Sequence, residues 1–342
     1  MIIRELTPDQ CTAWDQFVES RPEANFFHKS GWKDVIERGF GHDTHYLCAE
    51  RANKIVGVLP LTQIRSRLFG HSLISNAFCV EGGPVAETEV VRSALLSRAK
   101  DLADRLDVDF LECRSPVADD EVWQVRSNLY VGFRRAIDPD PERNLLTIPR
   151  KQRAMVRKAQ REGLVSVPDD DIERFYHTYA TSVRNLGTPV FARSYFGALK
   201  DIFGDNCKIL TVCDSHDRAV SSVMSFVFRD QVLPYYGGGT REARALAAND
   251  FMYWEVMRRA CECGLKWFDF GRSKVGTGAY HFKKNWGFQP TPLAYSYWLR
   301  RLDEVPDINP LNPKYRLLIA IWKRLPLPLA NLIGPPIARN LA

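Results

Sequence analysis

One phrase occurs twice in this chain of 342 residues. The first copy reads Arg-Leu-Asp-Val-Asp-Phe-Leu-Glu-Cys-Arg-Ser from Arg105 to Ser115 and closes on Val131-Gly132-Phe133. The second reads Gly-Leu-Lys-Trp-Phe-Asp-Phe-Gly-Arg-Ser from Gly264 to Ser273 and closes on Trp286-Gly287-Phe288. Each follows a helical stretch and leads into a linker, a short helix and a strand. Copies about 150 residues apart imply two versions of one domain, because a solenoid would repeat over a much shorter period. Only the second copy carries the polar residues of a working site. The first therefore reads as scaffold and the second as the seat of chemistry.

The length allows two domains, each with a core of its own. An apolar share of 45% and a charged share of 26% are ordinary for a globular chain and exclude long disorder. The formal net charge of +6 permits anionic partners without requiring them. Eight cysteines (Cys11, Cys48, Cys79, Cys113, Cys207, Cys213, Cys261 and Cys263) are scattered and form no Cys-x-x-Cys pair. They read as buried small hydrophobes in a reducing compartment. No histidine pair stands at zinc-ligand spacing, so no metal is expected. The start, Met-Ile-Ile-Arg-Glu-Leu, lacks the pattern of a signal peptide. No run of about 18 apolar residues predicts a membrane span. On these features the expected location is the cytoplasm.

Periodicity and turn signals give a mixed α/β order that runs twice. In the first half, Thr7-Pro8-Asp9-Gln10 starts a helix, a second follows over 31–38, and strands cover 44–50 and 54–64. A long helix covers 90–106 and a strand 108–113. Asp138-Pro-Asp-Pro-Glu142 is the clearest linker. In the second half come a basic helix over 151–161, helices over 171–184 and 194–203, and strands over 208–213, 219–228 and 232–236. A helix capped by Asn249 or Asp250 follows to Cys263, then a strand over 266–270, a short helix near 280–285 and a last strand over 293–299. The expected organisation is a first domain over 1–138, a second over 145–300 holding the main motifs, and a basic amphipathic tail over 301–342. The tail carries Lys314, Arg316, Lys323, Arg324 and Arg339 among Leu, Ile and Trp322. It reads either as a helix packed on the core or as a segment in the interface of the membrane's inner face.

Three stretches have residues suited to chemistry. The first is Gly271-Arg-Ser-Lys-Val-Gly-Thr-Gly278 followed by Tyr280-His-Phe-Lys-Lys-Asn-Trp-Gly-Phe288. A glycine-rich cationic loop offers N–H groups and positive charge to a phosphate or a developing oxyanion. Lys283 then sits among aromatic rings, Tyr280 and Phe282 included, with Arg272 and Lys274 nearby. Asp269, on the preceding strand, reads either as a buried partner of Arg272 or as a base. The second stretch, Tyr235-Tyr236-Gly-Gly-Gly-Thr240, is a strand end that lets a ligand approach the backbone closely. It is neither a Walker loop nor a dinucleotide fingerprint. The third is the basic helix, where Arg153 and Arg157 share one face suited to phosphates. Arg184 and Arg193 flank a loop between helices and are candidates of the same kind. No Ser-His-Asp or Cys-His arrangement follows from spacing.

Taken together, Arg153-Ala-Met-Val-Arg-Lys-Ala with Gly163, Tyr235-Tyr-Gly-Gly, Asp269-Phe-Gly and Tyr280-x-Phe-Lys-Lys-x-Trp-Gly-Phe288 resemble the FemAB aminoacyltransferases. The wording of 269–288 and the tail look most like the subgroup associated with exosortase and exopolysaccharide loci. The resemblance covers roughly Pro8 to Leu299. It implies two tandem GNAT-like domains, each a mixed, largely antiparallel sheet flanked by helices. It further implies acyl transfer forming an amide on a peptidoglycan or exopolysaccharide precursor, with charged tRNA, acyl-CoA or an acyl carrier as donor and no bound cofactor. On this resemblance Lys283 stabilises the acyl carbonyl, Tyr235 and Tyr236 line the substrate channel, and Arg184 and Arg193 hold acceptor phosphates. Two features depart from the pattern. The chain lacks a heptad arm for tRNA. Gly239-Thr-Arg-Glu-Ala-Arg-Ala-Leu246 also lacks the glycine that follows the arginine in acetyl-CoA-binding loops. An acetyl-CoA-dependent acetyltransferase and a non-catalytic membrane-peripheral assembly protein stand as alternatives.

Overall fold

The computed structural model describes residues 1–66, 69–117, 122–306 and 316–341. Its contacts form two compact units. The first comprises Met1–Leu129, Leu293–Ile308 and Ala338–Ala342, and the second Tyr130–Pro292 and Asn309–Ile337.

In the first unit, β1 (Ile2–Glu5), α1 (Cys11–Ser20) and α2 (Gly31–Phe40) precede the hairpin of β2 (Thr44–Arg51) and β3 (Lys54–Ser66). Ala52 and Asn53 turn that hairpin with positive φ at both positions, the geometry whose twist matches paired strands. Next come β4 (Gly70–Ser75), β5 (Val85–Ala86), α3 (Glu89–Leu106), β6 (Phe110–Cys113) and the start of β7 (Gln124–Gly132). Thr88 caps α3 by accepting from the Val91 N–H. Its buried face, with Val91, Leu95, Ala99 and Leu102, packs on Leu47, Leu59 and Leu111 of the sheet. The sheet order is β1-β2-β3-β4-β6-β15-β7, where β15 is Thr291–Leu299. β1–β2, β2–β3, β3–β4, β3–β5 and β6–β15 pair antiparallel, and β4 with β6, which α3 connects, pair in parallel.

The second unit repeats that arrangement. It holds β8 (Arg134–Ala136), α4 (Pro141–Thr147), α5 (Arg150–Arg161), β9 (Val165–Asp169), α6 (Ile172–Leu186), α7 (Arg193–Phe203), β10 (Cys207–Cys213), β11 (Ala219–Phe228) and β12 (Gln231–Gly239). α8 (Ala248–Glu262), β13 (Trp267–Asp269), β14 (Ser273–Lys274) and α9 (Gly278–Asn285) follow. The sheet runs β8-β13-β12-β11-β10-β9, antiparallel except where α8 joins β12 to β13 in parallel. Helix-bridged parallel strands in both units are the structural form of the repeated phrase. The buried core includes Phe133, Val223, Met252, Trp254, Phe268, Trp286 and Phe288.

Several sequence expectations change. The strand over 293–299, expected to finish the second domain, pairs with β6 of the first unit through Ser296–Cys113 and Leu299–Phe110. Val131 and Phe133, which close the first copy, lie in the second unit's core. The expected linker at 138–142 runs into α4, which Asp140 caps by accepting from the Glu142 N–H. Cys263 is exposed and Cys11 half-buried, so those two are not core residues. Of the tail, residues 307–315 and 342, Lys314 among them, lie outside the described residues; the helices that follow are α10 (Arg316–Trp322) and α11 (Leu327–Ala338). α10 rests on α6, where a Cβ on Gly187 would come 2.5 Å from Ile319 Cγ2, and Arg184 Nη1 donates to the Leu325 carbonyl at 3.0 Å.

Candidate active site

β12 and β13 pair only at Gln231–Trp267 and Val232–Phe268. β13 ends at Asp269 while β12 continues to Gly239. Among the described residues, Leu233–Gly239 therefore has no strand partner on that edge. Such a split frees backbone donors and acceptors of an inner strand, at the carboxyl ends where open α/β sheets take their ligands. β12 is also irregular here. Met224 faces Tyr236 and Ser225 faces Pro234, so Tyr235 has no opposite residue. Bulges of this kind re-aim a side chain.

The two tyrosines consequently differ. Tyr236 is buried, with its hydroxyl 2.7 Å from that of Tyr195, and burial pushes its phenol well above the ordinary value. Tyr235 is half-buried and stands over the loop that follows β13; a Cβ on Gly271 would lie 3.9 Å from its Cδ2. The three glycines that end β12 serve packing rather than ligand approach. A Cβ on Gly238 would sit 2.7 Å from Ser182 Cβ and 2.9 Å from Tyr179 Cα of α6. A Cβ on Gly237 would meet the Tyr253 hydroxyl of α8 at 2.6 Å.

After β13 the chain turns through Gly271, φ +67°. Asp269 fixes this turn, its Oδ1 accepting the Gly271 N–H at 2.7 Å. The turn presents two carbonyls to Lys283, whose Nζ donates to Gly271 at 3.2 Å and to Arg272 at 3.0 Å. Lys283 is placed by α9, which Thr277 caps by accepting from the Tyr280 N–H at 3.4 Å. Trp286, at the end of α9, anchors it with an indole N–H donated to Asp250 Oδ1 of α8 at 2.9 Å. The Lys283 ammonium also lies 5.6 Å from the Phe133 ring centroid.

Burial dominates the electrostatics. It lowers the Lys283 ammonium to about 7, with Asp269 opposing the shift and Arg272 adding to it. Burial likewise raises the Asp269 carboxyl, while the Gly271 N–H, Arg134 and Lys283 hold it back. A half-buried lysine near neutrality beside a buried carboxyl is the kind of perturbation found where chemistry is done.

Around this centre, Arg272 stacks over Tyr130 at 4.4 Å and Lys274 stands 5.4 Å from the same ring. Tyr280 packs edge-on against Phe133 at 5.8 Å, and Phe282 packs against Tyr253 at 5.5 Å. The structure thus brings together Lys283, Asp269, Arg272, Lys274, Tyr280 and Tyr235. Phe282 supports α9 from the core side. Arg153 and Arg157 lie on α5, where with Arg150 and Arg161 they line one shallow pocket. Arg184 is committed to Leu325, and Arg193 forms an ion pair with Glu173. Tyr130 and Phe133 were not singled out from sequence, and Asp250 was read only as a possible cap of α8, whereas that helix starts without a side-chain cap and Asp250 accepts from Trp286 instead. Phe133 had a signal, the repeated Gly-Phe ending, but it was assigned to the scaffold copy.

The loop between β12 and α8 uses its own donors. The N–H groups of Ala243, Leu246 and Ala247 bond to the carbonyls of Thr240, Glu242 and Arg244, and Lys158 donates to the Ala245 carbonyl at 2.6 Å. α8 begins with Ala247 in the left-handed conformation and no side-chain cap.

Residues 150–284 match the family model described as an acetyltransferase (GNAT) domain. Among solved structures, FemX is 15% identical, with a TM-score of 0.69 over 93% of this chain and 100% of that one. L-PGS from Bacillus licheniformis is 12% identical, with a TM-score of 0.57 over 98% and 99%. A tandem GNAT protein from the clavulanic acid biosynthesis pathway is 14% identical, with a TM-score of 0.54 over 86% and 97%. No curated protein matches the sequence. The chain is an acyltransferase by fold and matched domain, mixed α/β with two GNAT-type units in tandem. The expected resemblance to the FemAB proteins is met at the level of fold by FemX.

Proposed function

We propose that the second unit forms amide bonds by transferring an acyl or aminoacyl group to an amine on a cell-envelope precursor of the peptidoglycan or exopolysaccharide kind. The observation that carries this reading is Lys283 held against two carbonyls of the turn that follows β13. An ammonium has three N–H donors. Two go to the Gly271 and Arg272 carbonyls, which leaves one for an acyl oxygen. A cation preorganised in a partly dehydrated site stabilises the tetrahedral oxyanion of acyl transfer more than it stabilises the ground-state carbonyl. In the step, the amine nitrogen bonds to the acyl carbon and the donor's ester or thioester bond breaks. The amine proton passes to the departing alcohol or thiol.

The neighbours divide the remaining work. Asp269 sets the turn that presents both carbonyls. Tyr235 and Tyr280 line the approach. Arg272 and Lys274 offer cations to phosphates of the donor or acceptor, and Arg153 and Arg157 offer a second cationic face. The loop before α8 spends the N–H groups of Ala243, Leu246 and Ala247 on its own carbonyls, which weighs against a pyrophosphate bound by that loop. FemX supports the envelope acceptor through fold alone.

Filter binding at fixed, near-physiological salt tests the donor, because salt sets how any basic protein binds a polyanion. Tighter binding of aminoacylated than of deacylated tRNA supports the aminoacyl reading. Equal binding removes it and moves the donor to acyl-CoA or an acyl carrier.

A further inference from the structure

α11 faces its own fold the wrong way round for a water-exposed helix. It buries the small residues Ala330, Gly334 and Ala338, four apart along one face. Gly334 fits against Val190, with a Cβ position 3.1 Å from the Val190 nitrogen. The large residues Leu329, Leu332 and Ile333 are exposed, Leu332 at 72%. α10 behaves alike: Ile319 seats on Gly187 while Leu317, Leu318 and Ile321 are exposed, Leu317 at 71%. Leu186, next to that seat at the end of α6, is 68% exposed. A surface helix normally hides its large apolar residues. Large apolar side chains gathered in one exposed segment mark an interaction surface.

The charges identify the partner. From Arg316 to Leu341 the sequence holds Arg316, Lys323, Arg324 and Arg339 and no acidic residue. Lys323 and Arg324 are exposed in the turn between the two apolar helices. An apolar face edged by cations with no carboxylate complements an anionic lipid surface, where the side chains enter the headgroup boundary and the cations meet phosphates. No helix among the described residues is long and apolar enough to cross a membrane, so the pair would lie on the surface.

We infer that α10 and α11 form a helical hairpin that docks the second unit on an anionic membrane. The hairpin has an inner face that rests on Gly187 and Val190 and an outer face that enters lipid. Arg184, bonded to Leu325, holds the two helices in this pose.

Sedimentation of the full chain with vesicles tests this. Vesicles of equal parts phosphatidylglycerol and phosphatidylcholine should carry the protein down, and pure phosphatidylcholine should bind it at least about tenfold less. The triple variant Leu318→Ser, Leu332→Ser, Ile333→Ser changes only exposed side chains and should keep its melting temperature. It should lose about tenfold or more of the binding. The pair Lys323→Glu, Arg324→Glu should remove the preference for anionic vesicles. Undiminished binding by the triple variant would overturn the inference, as would absence of binding by the native chain. Dimers in light scattering that the triple variant converts to monomers, without vesicle binding, would assign the face to a second copy and overturn it too.

Discussion

Trp286 and Asp250 are joined across 2.9 Å, the indole N–H donating to a carboxyl oxygen, and this bond ties the helix that carries Lys283 to the start of α8. Trp286 is fully buried, and burial raises the Asp250 carboxyl. Asp250→Ala leaves the indole N–H without an acceptor. The expected cost is about 1–3 kcal/mol of stability, with a fall in kcat because α9 loses its register. Denaturant melts beside a transfer assay check this. Normal kcat in a destabilised protein would show that the bond serves folding alone.

Lys283→Met separates chemistry from folding. Removing one oxyanion donor lowers kcat about 10²–10³-fold in comparable sites. The same change is expected to stabilise the protein at neutral pH, because it deletes a half-buried cation. Gains of about 0.5–2 kcal/mol are usual where a strained site residue is replaced. The sign follows from linkage. The folded-state value of about 7 lies below the ordinary lysine value of 10.5, so between these pH values the unfolded chain binds more protons. Native stability therefore rises with pH across that window, and the variant's advantage shrinks. Thermal melts at neutral and alkaline pH measure the difference.

The pH dependence of turnover decides the role of Lys283. Only the charged form brings an oxyanion both a positive charge and an N–H beyond the two already given to the Gly271 and Arg272 carbonyls. On that role, kcat/KM should fall as pH rises through about 7, the value to which burial lowers this lysine in the free protein. A rise through the same range would make Lys283 a base that takes the amine proton.

Gly238→Ala tests packing apart from chemistry. The new methyl meets Ser182 Cβ at 2.7 Å and the Tyr179 main chain at 2.9 Å, which cannot yield without shifting α6. Overpacking of this kind costs about 1–3 kcal/mol. A variant as stable as the native chain would show that α6 can move away from β12 at no cost.

Arg184→Met should loosen the tail without unfolding the core. The Arg184–Leu325 bond fixes the turn that holds Lys323 and Arg324, both exposed trypsin sites. Cleavage there should accelerate several-fold as local opening becomes cheaper. An unchanged cleavage rate would mean that packing against Gly187 and Val190 suffices.

What the sequence disclosed was mainly local. The helices that became α3, α6 and α8 and the strands β2 and β3 depend on neighbours within a few residues, so their signals survive in one dimension. β1 and β7 gave no signal because they are largely exposed and lack alternation of apolar and polar residues. The destination of β15 was hidden because nothing in Leu293–Leu299 names β6 as its partner. At the site, Lys283, Tyr280 and Asp269 were legible as a dense motif. The rings of Tyr130 and Phe133, which hold Arg272 and Lys283, were not, since a cation–ring contact leaves no spacing rule. The glycines that end β12 read as an opening for a ligand, yet their space is filled by α6 and α8.

The most direct test is single-turnover amide formation on an amine-bearing peptidoglycan-type precursor. Aminoacylated tRNA and acyl-CoA would be supplied in turn as donors, and the native chain compared with Lys283→Met. The native chain should form product with one donor, and the variant, equally folded by its thermal melt, at least about a hundredfold less. Full-rate product from the variant, or none from the folded native chain with either donor, would contradict the assignment of acyl transfer to this site.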